Sequence, residues 1–166
     1  MHSKIFQLSR KPIPASGFIT PGRIPEYFIG SIADYTADCN DHRTACHQWL
    51  ADFLEKSESA TVDFSREPPV LTLPENAALL FFAPRHAEFC TALQKLNEQL
   101  SPETFTSRGI EWPLMSLQNL YNDAYGFYIM LTDELSEDTF LTLDDFMRSE
   151  YAVGSYYLGG VVDYHF

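Results

Sequence analysis

The sequence has few basic residues, and this shortage excludes two classes of partner. Eleven lysines and arginines stand against 23 aspartates and glutamates, which gives a formal net charge of -12 at pH 7. A nucleic-acid-binding protein draws much of its affinity from contacts between cationic side chains and phosphates. We therefore expect no direct binding to nucleic acid, and none to an anionic membrane surface.

Cysteines are also scarce, and long apolar runs are absent. The 166 residues include three cysteines, with no Cys-x-x-Cys pair and no Asn-x-Ser/Thr site. No run of 18 apolar residues occurs, and the first ten residues lack the apolar core of a secretory signal. An odd cysteine count without such a signal is typical of a reducing compartment. We expect a soluble cytoplasmic protein with free thiols.

What is present predicts an ordinary globular fold. Hydrophobic residues make up 45% of the chain and charged residues 20%, as in globular proteins. The length is that of one domain. We predict one α+β domain over residues 1–166, with helices packed on a mixed sheet of about five or six strands. A Pro- and Gly-rich loop over residues 10–26 interrupts the predicted elements.

Two segments, Ala77–Ala83 and Phe127–Leu131, are apolar at both odd and even positions. This pattern is typical of strands that are covered on both faces, so we place both in the interior of the sheet. Gly159-Gly160 lies between two β-rich runs and predicts the two-residue turn of a C-terminal hairpin. Apolar spacing predicts helices after Asn40 and over residues 85–100, and Thr142 is expected to cap a short helix.

The negative charge is concentrated in residues 111–166. This stretch contains ten acidic residues and one basic residue, Arg148, and it also contains seven of the nine tyrosines. Tyrosine is favoured at protein interfaces, and carboxylates complement Lys- and Arg-rich surfaces. The sequence predicts a binding module that recognises a basic protein partner, in its sharpest form an inhibitor or nucleic-acid mimic. The residues expected to carry this recognition are Asp133, Glu134, Glu137, Asp138, Asp144 and Asp145.

The alternative is a small metal- or cysteine-dependent enzyme. Thiolate and imidazole groups suit zinc, and the sequence offers the set Cys39, His42, Cys46, His86 and Cys90. Cys46 also lies in the apolar stripe of the predicted first helix, where burial alone explains it. The Walker, Rossmann, nucleophile-elbow and HExxH motifs are all absent. We therefore expect a non-enzymatic protein with no cofactor and no metal.

Overall fold

The structure is a computed structural model that describes residues 1–132 and 138–166. Its contacts group the chain into two compact units, one formed by Met1–Phe81 with Tyr125–Phe166 and the other by Phe82–Ala124. The first unit holds the whole sheet, and the second is helical. The predicted α+β class is confirmed, while one domain over residues 1–166 stays a prediction.

The predicted mixed sheet is confirmed, and within the described residues it has seven strands, close to the five or six expected. Its main order is β3-β4-β7-β1-β5-β6, with β2 also paired to β7. β1 runs parallel to β5 and antiparallel to β7. The strands are β1 His2–Ser9, β2 Tyr35–Asp38, β3 Thr61–Asp63, β4 Val70–Leu73, β5 Tyr128–Leu131, β6 Thr139–Thr142 and β7 Gly154–His165.

The predicted C-terminal hairpin is wrong, because β7 is one continuous strand of 12 residues. One edge of β7 pairs with β1, and its other edge is shared by β4 at one end and β2 at the other. Phe6 pairs with Val161 and Leu8 with Leu158, so Gly159 and Gly160 together oppose Gln7. Two residues opposite one form a β-bulge, so the glycine pair marks a close approach within a strand instead of a turn.

The segment Ala77–Ala83 is helical, which contradicts the predicted central strand. It begins α2, Ala77–Gln99, and Pro84 lies inside this helix. The backbone nitrogen of Leu80 donates to the carbonyl of Asn76 at 3.1 Å, as a helix requires. A short apolar run does not distinguish a buried strand from a buried helical turn. In contrast, β5 confirms the strand predicted at Phe127–Leu131, and Ile129 is buried there between β1 and β6.

The other helices are α1 Arg43–Glu55, α3 Pro102–Thr106, α4 Glu111–Tyr121 and α5 Leu143–Arg148. The predicted cap of α5 is confirmed, since the Thr142 hydroxyl accepts from the backbone nitrogen of Asp145 at 3.0 Å. On α1, Cys46, Leu50 and Leu54 are buried. Among the helices of the described residues, none is long and apolar enough to cross a bilayer.

The loop over residues 10–26 is built into the first unit. It contains two short 3-10 helices, Ala15–Gly17 and Pro21–Arg23, and ends at the start of a third, Glu26–Phe28. Ile19 and Ile24 from this loop join a buried cluster that includes Ile5, Tyr128 and Tyr164. The loop therefore covers one side of the sheet as part of the core.

Candidate functional site

The structure places the six predicted partner-binding residues in three different situations. Asp133, Glu134 and Glu137 lie outside the described residues. Asp144 is only 4% exposed, so its carboxylate belongs to the folded interior. Asp138 and Asp145 are exposed and remain available to a partner.

Each of these two exposed carboxylates already has a contact. Asp138 forms an ion pair with Arg23 from the 10–26 loop. Asp145 lies in the first turn of α5 and accepts a hydrogen bond from the Thr142 hydroxyl at 2.8 Å. Acidic side chains are favoured in a first helical turn, because the free N–H groups there carry partial positive charge. Asp145 therefore stabilises α5 while its side chain stays at the surface.

The tyrosines of the acidic third divide between core and surface. Tyr128, Tyr156 and Tyr164 are buried. Tyr121, Tyr125 and Tyr151 are exposed. Tyr157 is half-buried, so the surface tyrosines are these three and part of Tyr157.

A cleft of about 330 Å³ opens where the parallel strands β1 and β5 end. Parallel strands bring their carboxyl ends to the same edge of a sheet, and ligands often bind at such edges. The cleft is lined by Leu8, Ser9, Arg10, Leu131, Thr132, Thr139, Glu150, Tyr151 and Tyr156. Thr139 directly follows Asp138, so this cleft brings Glu150 and Tyr151 near the exposed part of the predicted acidic surface.

Arg10 is the fixed cation of this cleft. Its guanidinium carbon lies 3.8 Å from the centre of the Tyr156 ring. Its nitrogens donate to the carbonyl oxygens of Ser155 at 3.1 Å and Val153 at 2.9 Å. The Tyr156 hydroxyl in turn donates to the carbonyl of Tyr151 at 2.6 Å, and burial raises the pKa of this phenol. Arg10 and Tyr156 thus hold the backbone that carries Glu150 and Tyr151.

The cleft is lined mainly by hydroxyl-bearing and charged side chains. Among the described residues, its lining contains Ser9 but neither cysteine nor histidine, so no thiol nucleophile and no imidazole base lie among them. It does present one carboxylate, two phenols and several hydroxyl groups. Such groups accept hydrogen bonds from ammonium and guanidinium donors.

Four of the five cysteines and histidines of the alternative reading form two pairs, and the fifth, His42, is exposed at the start of α1. The sulfur atoms of Cys39 and Cys46 are 3.5 Å apart. On α2, the Cys90 sulfur lies 3.5 Å from His86 Nε2. Within residues 1–132 and 138–166, no three His, Cys, Asp or Glu side chains are arranged to hold a metal ion.

A second polar cluster, which the sequence analysis did not predict, lies near the start of β1 and the end of β7. His2 Nδ1 and the Lys4 ammonium group both contact the carboxylate of Asp163, the histidine at 2.8 Å. His165 contacts Asp34 at 3.1 Å and stacks on Tyr35. Burial of Asp163 opposes its ionisation, but the hydrogen bonds from Lys4 and His2 outweigh it and lower the pKa of the carboxyl group. Alternation in β7 predicts that Asp163 and His165 share a face. The residues that contact them are far away in the sequence, so the pattern of β7 does not predict them.

Comparison with known proteins adds no relative. No protein-family model, no curated protein and no solved structure matches this chain.

Proposed function

We propose that this chain is a non-enzymatic interaction module that recognises a basic protein through the acidic surface of residues 138–151. The observation that carries the proposal is the position of Glu150 and Tyr151, which line one cleft together with Thr139, next to Asp138. Tyr151 is 39% exposed, so part of its ring and its hydroxyl group are accessible. Asp145 extends the surface from the first turn of α5.

The contacts already made by these groups leave room for a partner. Both side chains of the ion pair between Asp138 and Arg23 are partly exposed to solvent. Exposed ion pairs contribute about 0–1 kcal/mol, so a cation of the partner can replace Arg23 at little cost. A carboxylate also has more than one acceptor site, so Asp145 can accept from a partner while it accepts from Thr142.

The charge distribution supports a basic partner over a neutral one. The stretch 111–166 carries ten acidic residues and one basic residue, Arg148, which is exposed in the last turn of α5. Three of the acidic residues, Asp138, Asp145 and Glu150, are exposed around the same helix and outnumber it. Like charges that are held close together favour any neighbour that neutralises them. Complementary charge mainly raises the association rate, which gives the proposal a measurable signature.

The test removes this charge with little change of shape. The triple variant Asp138→Asn, Asp145→Asn, Glu150→Gln is compared with a control that removes three exposed charges elsewhere, Glu26→Gln, Glu55→Gln, Glu75→Gln. A partner is first captured from lysate of the source organism and purified, and its association rate with each variant is then measured at several salt concentrations. We expect the triple variant to associate about tenfold more slowly at low salt, and the control to behave as the wild type.

At 1 M salt, where charges are screened beyond about 3 Å, the rates should converge. Equal rates for wild type and triple variant at every salt concentration would refute the proposal. So would a captured partner whose binding surface is acidic.

A further inference from the structure

Cys39 and Cys46 are positioned as a pair by two different elements. Cys39 follows β2, and its backbone nitrogen donates to the carbonyl of Val161 on β7 at 3.1 Å. Cys46 lies in the first half of α1 and is buried. Their sulfur atoms are 3.5 Å apart, within van der Waals contact. Both thiols are free in the structure.

We propose that Cys39 and Cys46 are a redox-modification site that closes reversibly to an intramolecular disulfide, with a small disulfide of the glutathione class as the oxidant. A disulfide bond is about 2.05 Å long, so the two sulfur atoms must approach each other by about 1.5 Å. Side-chain rotation and a small backbone adjustment can supply a movement of this size. The proposal concerns a different part of the molecule from the acidic surface and does not depend on it.

The reaction is balanced by two thiol–disulfide exchanges. In the first, the thiolate of Cys39 attacks one sulfur of glutathione disulfide, a mixed disulfide forms, and one glutathione thiolate leaves and takes up a proton. In the second, the thiolate of Cys46 attacks the Cys39 sulfur and releases the second glutathione. The protein loses two protons and two electrons, and the oxidant is reduced to two thiols.

The order of the two steps follows from exposure. Cys39 is half-buried and Cys46 is buried, so the oxidant reaches Cys39 first. Burial and the neighbouring Cys39 raise the pKa of the Cys46 thiol to about 11, and of the charged groups nearby Lys4 opposes this shift and Asp163 adds to it. A thiol with a high pKa is a poor attacking group at neutral pH, although its thiolate is strongly nucleophilic. Closure should therefore accelerate as the pH rises.

Oxidation would act on a structurally important connection. The ring closed by the disulfide spans residues 39–46 and includes Asn40. The Asn40 side chain donates to the carbonyl of Ile19 at 3.0 Å and accepts from the nitrogen of Val161 at 2.9 Å. It thus links the 10–26 loop to β7, and a disulfide would constrain the segment that carries this link.

The test uses the full, reduced chain and glutathione disulfide. Cys90 is exposed and takes up glutathione itself, so the reaction is followed in Cys90→Ser. After incubation and alkylation, both remaining thiols should be lost, and the intact mass should show the loss of two hydrogen atoms. Trypsin cleaves after Arg43, between the two cysteines, so the disulfide joins two separate peptides that mass spectrometry identifies. The wild type should close the same disulfide between Cys39 and Cys46, with the glutathione adduct confined to Cys90.

Single variants test the assignment of each thiol. Cys46→Ser should retain a glutathione adduct on Cys39, because no second thiol displaces it. Cys39→Ser should gain little adduct on the buried Cys46. A wild-type chain that accumulates the Cys39 adduct as strongly as Cys46→Ser would overturn the proposal, provided circular dichroism shows the native fold. A disulfide that forms only in denaturant would overturn it as well.

Discussion

The side-chain oxygen of Gln7 accepts a hydrogen bond from the backbone nitrogen of Gly160 at 2.8 Å. The same oxygen accepts from the nitrogen of Ile19 at 3.0 Å, and the amide nitrogen donates to Gly17 and Thr132. Gln7 is 1% exposed, so these hydrogen bonds compensate its amide for the loss of water. One buried amide therefore fixes both the bulge of β7 and the 10–26 loop.

Replacing Gln7 by leucine should destabilise the protein strongly. The substitution leaves the N–H groups of Gly160 and Ile19 without their acceptor in the interior. Each unsatisfied buried group costs about 1–3 kcal/mol, so we expect a loss of at least about 2 kcal/mol in the free energy of unfolding. Urea denaturation monitored by circular dichroism measures it. Gln48→Leu, at an exposed position of α1, is the control and should change stability by less than about 0.5 kcal/mol. Similar losses for the two variants would contradict the role of Gln7.

Gly160→Ala tests the close approach at the bulge. A Cβ atom there would lie 2.7 Å from the backbone nitrogen of Ile19 and 2.9 Å from Asn40 Oδ1. Backbone cannot move aside as a flexible side chain does, so we expect a loss of about 1–3 kcal/mol. Gly22→Ala is the matched control, because a Cβ atom at Gly22 meets no atom within 4 Å. Thermal unfolding should show a lower Tm for Gly160→Ala alone; equal Tm values would mean that the loop does not pack on the bulge.

The variants Ile129→Ala and Leu80→Ala compare a segment whose predicted strand is confirmed with a predicted strand that is helical in the structure. Ile129 is 1% exposed within β5, and its truncation should cost about 2–5 kcal/mol. Leu80 lies half-buried on α2, where alanine is the best helix former, so its truncation should cost clearly less. Denaturant midpoints of the two variants measure the difference. Equal large losses would favour the strand that the sequence pattern predicted for Ala77–Ala83.

Local signals predicted the parts of the fold that depend on short-range chemistry. Thr142 caps α5 through its hydroxyl group, and the strand predicted at Phe127–Leu131 is present as β5. The α+β class followed from the mixture of such patterns. These features were predictable because neighbouring residues decide them.

Long-range pairing decided what the sequence could not show. Gly159-Gly160 has the composition of a turn, yet Gln7 and the 10–26 loop need the space that these glycines leave. Ala77–Ala83 has the composition of a buried strand, yet its backbone is helical. Asp144 resembles its neighbour Asp145 in sequence, but only Asp145 faces solvent. The contact between Cys39 and Cys46 depends on the position that β2 gives to Cys39. The spacing of the two cysteines in the sequence does not predict this position.

The buried His47 should make stability depend on pH in a defined window. Its Nε2–H donates to the carbonyl of Gly159 at 3.0 Å, and burial lowers the pKa of the imidazole from 6.5 to about 4. Between these values the unfolded chain binds a proton that the folded chain excludes, so stability is full above pH 6.5 and falls as the pH drops towards 4. The largest loss from this group is about 3 kcal/mol.

His47→Gln isolates this contribution, because glutamine offers an N–H group to Gly159 but does not titrate. The free energy of unfolding, measured by urea titration between pH 7.5 and pH 4.5, should fall more steeply for the wild type than for the variant. The lowered pKa of Asp163 acts below the ordinary range of an aspartate, under about pH 4, so it leaves this window unaffected. Parallel curves for the two proteins across the window would mean that the folded protein protonates His47 as readily as the unfolded chain does. That result would contradict the lowered pKa of His47.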